Sequence, residues 1–214
     1  MLSNQEFVRI AVLVSGNGTN LQALIDAQSR GELKKGKIIK VISSRAGVYA
    51  LKRAKNANIE SEIVERIEFK NNDDFDRALL SVLQQCGAEL VVLAGFMSIL
   101  GDEVLSNYKD RIINVHPSLI PAFCGKGYYG LKVHEEALKR GVKITGATVH
   151  FVNEIPDGGK IIYQKAVKVR TNDSPAQLQK RVMEKAEWLL LPKAVGLISD
   201  LIYNVRNITE KENN

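Results

Sequence analysis

The chain has 214 residues, 45% of them hydrophobic and 25% charged, with a net charge of +6 at pH 7. That length and balance suit one large α/β domain or two small ones, able to fold without disulfides or a structural metal. Cys86 and Cys124 lack metal-type and redox-type spacing, no basic-then-apolar signal segment opens the chain, and no apolar run approaches membrane-spanning length. A reducing cytoplasm is therefore expected, and no membrane partner. The positive charge is spread rather than clustered, apart from Lys34-Lys35-Gly36-Lys37, and no aromatic residues interleave with it as a base-stacking platform requires. Nucleic acid is not expected as a partner, and a bias towards small anionic substrates explains the charge more simply.

Val8 to Val14, broken only by Arg9, is the pattern of a strand covered on both faces. After Ser15-Gly16-Asn17-Gly18, the recurrence of Leu21, Leu24 and Ile25 predicts a helix ending before Gly31. Lys37 to Ile42 reads as a second strand, Val48 to Ala57 as a helix and Ile63-Val64 as a short strand. Phe75, Leu79, Leu80 and Leu83 mark another helix, whose apolar face Cys86 closes. Leu90 to Ala94, the most hydrophobic run, belongs mid-sheet. A short helix around Glu103 to Tyr108 precedes a strand over Ile112 to Val115. Thr148 to Val152 and Ile161 to Val169 read as antiparallel strands around Asp157-Gly158-Gly159. Ser174-Pro175 caps a long C-terminal helix that Pro192 should kink or restart, and Glu210 to Asn214 reads as a frayed polar end. The alternation predicts a Rossmann-like α/β fold. Its sheet is open, twisted and mostly parallel, with helices on both faces and antiparallel strands towards the C-terminal part. One domain over residues 1–205 is expected, followed by a polar tail over 206–214.

Asn114-Val115-His116-Pro117-Ser118-Leu119-Ile120-Pro121 leaves the strand that begins at Ile112. Residues two apart on an extended chain share a face, so Asn114 and His116 project together. Pro117 ends strand pairing there and puts His116 at the carboxyl end, where open α/β sheets bind ligands. An amide and an imidazole aimed into such a crevice can stabilise an oxyanion; a satisfied strand-end histidine is the plainer reading. Ser15-Gly16-Asn17-Gly18-Thr19-Asn20 joins a strand to a helix start, whose free amides attract phosphate. It lacks the lysine of a Walker loop and the third glycine and acidic strand end of a dinucleotide site, so a phosphate monoester or a simple capping turn remains. Gly95 to Leu100 can line a pocket for a flat ligand or pack in the core. Asp157 makes a tight turn with two glycines, and beside His116 could favour a protonated imidazole and relay a proton through water. His150 alternates inside a strand and reads as structural; His134, at a helix start, supports the site at most indirectly.

Taken in order, Gly16-Asn17-Gly18-Thr19-Asn20, Leu93-Ala94-Gly95-Phe96-Met97, Asn114 to Pro121, Gly146-Ala147-Thr148-Val149-His150-Phe151-Val152 and Asp157-Gly158-Gly159 resemble the phosphoribosylglycinamide formyltransferases. The resemblance runs from about Val8 to about Ile202. It implies transfer of a formyl group from 10-formyltetrahydrofolate, the cosubstrate, to the amine of phosphoribosylglycinamide in purine synthesis, with no metal. It implies a catalytic trio of Asn114, His116 and Asp157, with Asp157 supporting a protonated His116. Gly18, Thr19, Asn20 and Glu187 are implied on the phosphoribosylglycinamide side. Asn72, Met97, Ser98, Ile99, Leu100, Asn114, Asn153 and Asp157 are implied on the folate side. The N-terminal half would then hold the phosphate substrate and the C-terminal half the folate, in a monomer or homodimer. Two departures stand out: members of the family often carry arginine where Asn72 and Ser98 stand, a gap Lys70 could fill, and the stretch 123–130 is longer, reading as a mobile flap. A deformylase of the wider superfamily would add an N-terminal domain and methionyl-tRNA formyltransferase a C-terminal one, and 214 residues leave room for neither. A non-catalytic folate- or phosphate-binding module is the rival of a different class.

Overall fold

The computed structural model describes residues 6–212. Its strands are β1 (Val8–Val14), β2 (Gly36–Ser43), β3 (Glu60–Ile63), β4 (Leu90–Leu93), β5 (Ile112–His116), β6 (Ile144–Phe151) and β7 (Ile161–Lys168). The helices are α1 (Thr19–Ser29), α2 (Tyr49–Asn56), α3 (Asn72–Gln85), α4 (Asp102–Asn107), α5 (Leu131–Arg140), α6 (Pro175–Val182) and α7 (Trp188–Glu212). One seven-stranded sheet has the order β3-β2-β1-β4-β5-β6-β7. β1 to β5 pair in parallel, while β6 and β7 add on antiparallel. The chain builds outward from β1 in one direction to β3, then returns to add β4 on the other side. β1 and β4 therefore flank the switch point of the sheet, where carboxyl-end loops diverge and leave a crevice.

Alternation along β1 serves two cores at once. Val8, Ile10, Val12 and Val14 pack with α1, α6 and α7 on one face, while Ala11 and Leu13 face α3 and α4 on the other. This is why the strand reads as a continuous apolar run. The polar edge strand β3, with Glu60 and Glu62 paired to the ammonium of Lys40, shows no such run and begins three residues before the expected Ile63.

The C-terminal rod departs from expectation in three ways. Its break is a π-helical turn at Met183–Glu187, and α7 runs through Pro192 without restarting. The wider turn loosens the hydrogen-bond ladder just ahead of the proline, so the missing N–H and the ring of Pro192 meet a backbone that has already adjusted. The rod also continues through the start of the expected tail to Glu212, and residues 213–214 lie outside the described residues. Finally, Pro175–Thr209 is long and apolar enough, by length and composition, to cross a membrane, although no such run was legible in the sequence. Of its most apolar window, 44% is buried inside the molecule, where Leu190, Leu191, Ala194, Val195 and Ile198 belong to the core. The helix start is as expected: Ser174 Oγ accepts from the Gln177 amide at 3.3 Å, and the Gln177 side chain accepts from the Ser174 amide at 2.8 Å.

Candidate active site

β5 ends at His116 because Pro117 cannot donate to a further ladder bond. The antiparallel pairing of β6 then sets His150 directly opposite Asn114 and Thr148 opposite His116. Thr148 anchors the segment that follows: its hydroxyl donates to the Ser118 carbonyl at 2.7 Å and accepts from the Ile120 amide at 3.1 Å. The 152–160 connection brings Asp157 back over these side chains. Gly159 is obligatory in that connection, since a Cβ there would lie 1.8 Å from the Phe151 carbonyl oxygen. Asp157 itself adopts a left-handed backbone, φ 57°.

Four side chains converge as a result. Asp157 places one carboxylate oxygen 3.4 Å from His116 Nδ1 and the other 3.5 Å from His150 Nε2. Asn114 Nδ2 lies 3.2 Å from His150 Nε2, and His150 Nδ1 lies 2.7 Å from the Phe151 carbonyl oxygen. A carbonyl only accepts, so His150 carries its proton on Nδ1 and takes the Asn114 N–H at Nε2. One hydrogen of the Asn114 amide therefore remains for another acceptor. The same logic puts a proton on His116 Nε2, 2.9 Å from the Phe123 carbonyl oxygen.

Burial is the largest influence on His116 and lowers its basicity; Asp157 and the Phe123 carbonyl pull back, while His150 adds to the lowering. The net shift is downward, so in the free protein Asp157 does not by itself hold His116 protonated. Burial also opposes ionisation of Asp157, but the neighbouring His150 and His116 rings and the Gly125 amide outweigh it and hold the carboxyl below its ordinary value. Gly125 donates that amide to Asp157 at 2.8 Å. The 123–130 stretch thus touches two of the four side chains. His134 lies on α5, fully buried, with neither ring nitrogen hydrogen-bonded among the described residues; burial and then His116 push it down to about 4.

Beside this cluster is a cavity of about 160 Å³. Ser98, Ile99, Leu100, Asn114, Asn153 and Asp157 line it as the resemblance implies, together with Leu93, His150, Val152 and Ile155. Met97 is 44% exposed and does not line it, and its amide is held by the Ser15 hydroxyl at 2.9 Å. Asn72 opens α3 and lines a neighbouring basin with Asp73, Asp76, Asp102, Glu103 and Glu154.

The phosphate-loop side is built differently. Gly18 is the N-cap of α1, in left-handed conformation, and the first turn of α1 carries no acidic side chain. Behind it, Asn20 Nδ2 donates to Glu187 Oε2 at 2.8 Å, bringing together two residues 167 apart in sequence. Glu187 ends the π-turn and is only 6% exposed; burial, partly opposed by Asn20, pushes its carboxyl up to about 7. The buried Asn20 Oδ1 has no partner among the described residues.

The sequence pattern of the formyl transferase family matches residues 8–195. The chain belongs to that family. A phosphoribosylglycinamide formyltransferase of Haemophilus influenzae is 41% identical over 187 residues, covering 87% of this chain and 85% of its own. The chicken trifunctional purine biosynthetic protein adenosine-3 is 40% identical over 192 residues; the match covers 90% of this chain, which spans only 18% of that much longer relative. The crystal structure of glycinamide ribonucleotide transformylase 1 from Symbiobacterium toebii superposes with a TM-score of 0.86 at 38% identity, covering 94% of this chain and 91% of that one. Within this formyl transferase, His150 has a place that its sequence pattern, which reads as structural, does not disclose. The strand alternation gave its parity, but only the β5–β6 register puts it against Asn114 and Asp157. The Phe123 carbonyl and Gly125 amide carried no sequence signal, being backbone groups aimed by the path of the loop.

Proposed function

We propose that this formyl transferase transfers a formyl group from 10-formyltetrahydrofolate to the amine of phosphoribosylglycinamide, in purine synthesis. The observation that carries the reading is the convergence of Asn114, His116, His150 and Asp157, of which Asn114, His150 and Asp157 line one cavity and His116 stands behind Asp157. Leu93, Ile99, Leu100 and Val152 give it apolar walls, and the Asn114–His150–Asp157 end is polar. That combination suits one end of a flat heterocycle with hydrogen-bonding edges. The volume is well below the roughly 300–1,000 Å³ of typical ligand sites, so only part of a folate is enclosed there.

Attack by the substrate amine places negative charge on the formyl oxygen and positive charge on the attacking nitrogen. The remaining Asn114 N–H and the Nε2–H of His116 are the donors for that oxyanion. Loss of one such donor typically costs about 10²–10³ in turnover. For His116 to serve, Nε2–H must exchange the Phe123 carbonyl for the substrate oxygen. Growth of negative charge beside the ring then raises its basicity, so Nδ1 takes up a proton from solvent and Asp157 beside it supports the resulting cation. Asp157, 14% exposed at its side chain, is also placed to pass the amine proton through water towards the departing folate nitrogen. On the other side, the helix-start amides behind Gly18 hold the substrate phosphate, with Asn20 and Glu187 beside the glycinamide.

Purified protein with a 10-formyl folate donor, followed by absorbance with and without phosphoribosylglycinamide, tests this directly. Turnover only with the ribonucleotide is expected. Turnover without it would make the protein a hydrolase, and folate binding with no turnover a binding module.

A further inference from the structure

Two consecutive carbonyls of the phosphate loop are turned towards α2. The Gly16 carbonyl accepts from the Ala50 amide at 3.2 Å, and the Asn17 carbonyl accepts from Arg53 Nε at 2.9 Å. In a trans peptide the C=O and N–H point in opposite directions. The amides of Asn17 and Gly18 are therefore aimed away from α2. They join the first amides of α1, which lack intrahelical acceptors, and none of the amides of residues 17–21 finds a protein acceptor among the described residues. The loop can sit this close only because Gly18 has no side chain: a Cβ there would be 2.7 Å from that of Ala50.

Arg53 is itself held in place. Its Nη1 donates to Gln22 Oε1 at 2.9 Å, and its guanidinium lies 4.8 Å from the Tyr49 ring centroid. The fork thus spans α2, the loop and the first turns of α1, and its side chain lines a cavity of about 250 Å³ together with Thr19 and Gln22. We propose that Arg53 is the positioning residue of the phosphate grip. By fixing the Asn17 peptide it turns the loop amides towards the substrate, and so sets the preference for a phosphorylated over an unphosphorylated glycinamide riboside. The inference rests on the formyl-transfer reading above.

The test compares phosphoribosylglycinamide with its dephosphorylated riboside as formyl acceptors. Arg53→Ala is expected to raise KM for the phosphorylated acceptor about tenfold, the size of one charge-assisted hydrogen bond. Its kcat, the folate KM and the weak use of the riboside should stay within about twofold, and inhibition by inorganic phosphate should weaken in parallel with the KM. Arg53→Lys keeps the charge but not the planar Nε donor, so it should recover less than half of the loss on a logarithmic scale. It also carries the test should the alanine variant not fold. An equal loss towards both acceptors, an unchanged KM or full rescue by lysine would overturn the inference. Absence of turnover by the unaltered protein with either acceptor would instead remove the activity on which it rests.

Discussion

At the end of β5 the site consists of side chains clamped between two paired strands, whereas at the end of β1 it consists of backbone amides with one buried carboxyl behind them. In the first half burial opposes the ionisation of the imidazoles of His116 and, behind it, His134. In the second it opposes the ionisation of Glu187, which shifts the carboxyl in the opposite direction, upward. One half therefore loses stability as pH falls and the other as pH rises. The two halves are thus tuned by groups that titrate against each other.

The largest effects should come from breaking the side-chain half. His116→Ala and Asp157→Asn are each expected to reduce formyl transfer by at least about 10²–10³ while leaving the circular dichroism spectrum unchanged. Near-normal turnover by either variant would remove the mechanism. Gly159→Ala comes next, on stability: the new Cβ meets the Phe151 carbonyl oxygen at 1.8 Å, so the 152–160 connection must shift. A loss of a few kcal/mol is expected by denaturant titration, with Asp157 displaced and activity lost with it.

Two further variants sharpen the opposition of charge. The Glu187 carboxyl, about 7 when folded against 4.5 ordinarily, contributes stability that is complete below 4.5 and lost as pH rises through 7. Glu187→Gln should therefore be more stable than the unaltered protein at pH 8, by on the order of 3 kcal/mol, yet bind the ribonucleotide less well. For His134, at about 4 folded against 6.5 ordinarily, stability is complete above 6.5 and lost as pH falls towards 4. His134→Asn should remove a loss on the order of 3 kcal/mol between those limits. Between pH 4.5 and 6.5 the two contributions oppose each other, so the two variants should tilt the stability profile in opposite directions. Parallel profiles would contradict the assignment of either group. The smallest effect is expected where the halves meet. Ser15, between the phosphate loop and the 95–100 loop, bonds Ser44 Oγ at 2.6 Å and accepts from the Met97 amide, and Ser15→Ala should cost about 1 kcal/mol.

Much of this was legible from one dimension. Continuous apolar runs placed β1, β2 and β4, and the mid-sheet position of Leu90–Leu93 followed from their hydrophobicity. Two-residue parity put Asn114 and His116 on one face, and Pro117 put them at a strand end. What escaped depends on contacts distant in sequence. His150 joins the cluster through strand register, Asn20 meets Glu187 across 167 residues, and Arg53 reaches the loop from a separate helix. The apolar length of the C-terminal rod was missed because Lys193 and Asp200 interrupt its hydrophobic pattern without interrupting the helix. A net charge of +6 also misled locally, since the basin beside the cavity carries five carboxylates against the single cation of Arg77.

The π-turn at Met183–Glu187 makes the C-terminal rod unequally tolerant of insertions and deletions. Removing one residue from the middle of an α-helix swings everything beyond it by about 100° and would carry Leu191, Val195 and Ile198 off the sheet. A π-turn already holds one surplus residue, so deleting Lys185 could relax it into an ordinary α-turn while Val182 and Glu187 keep their faces. In a lineage, this short stretch is where the helix behind the phosphate loop could change length by one and still deliver its glutamate to Asn20.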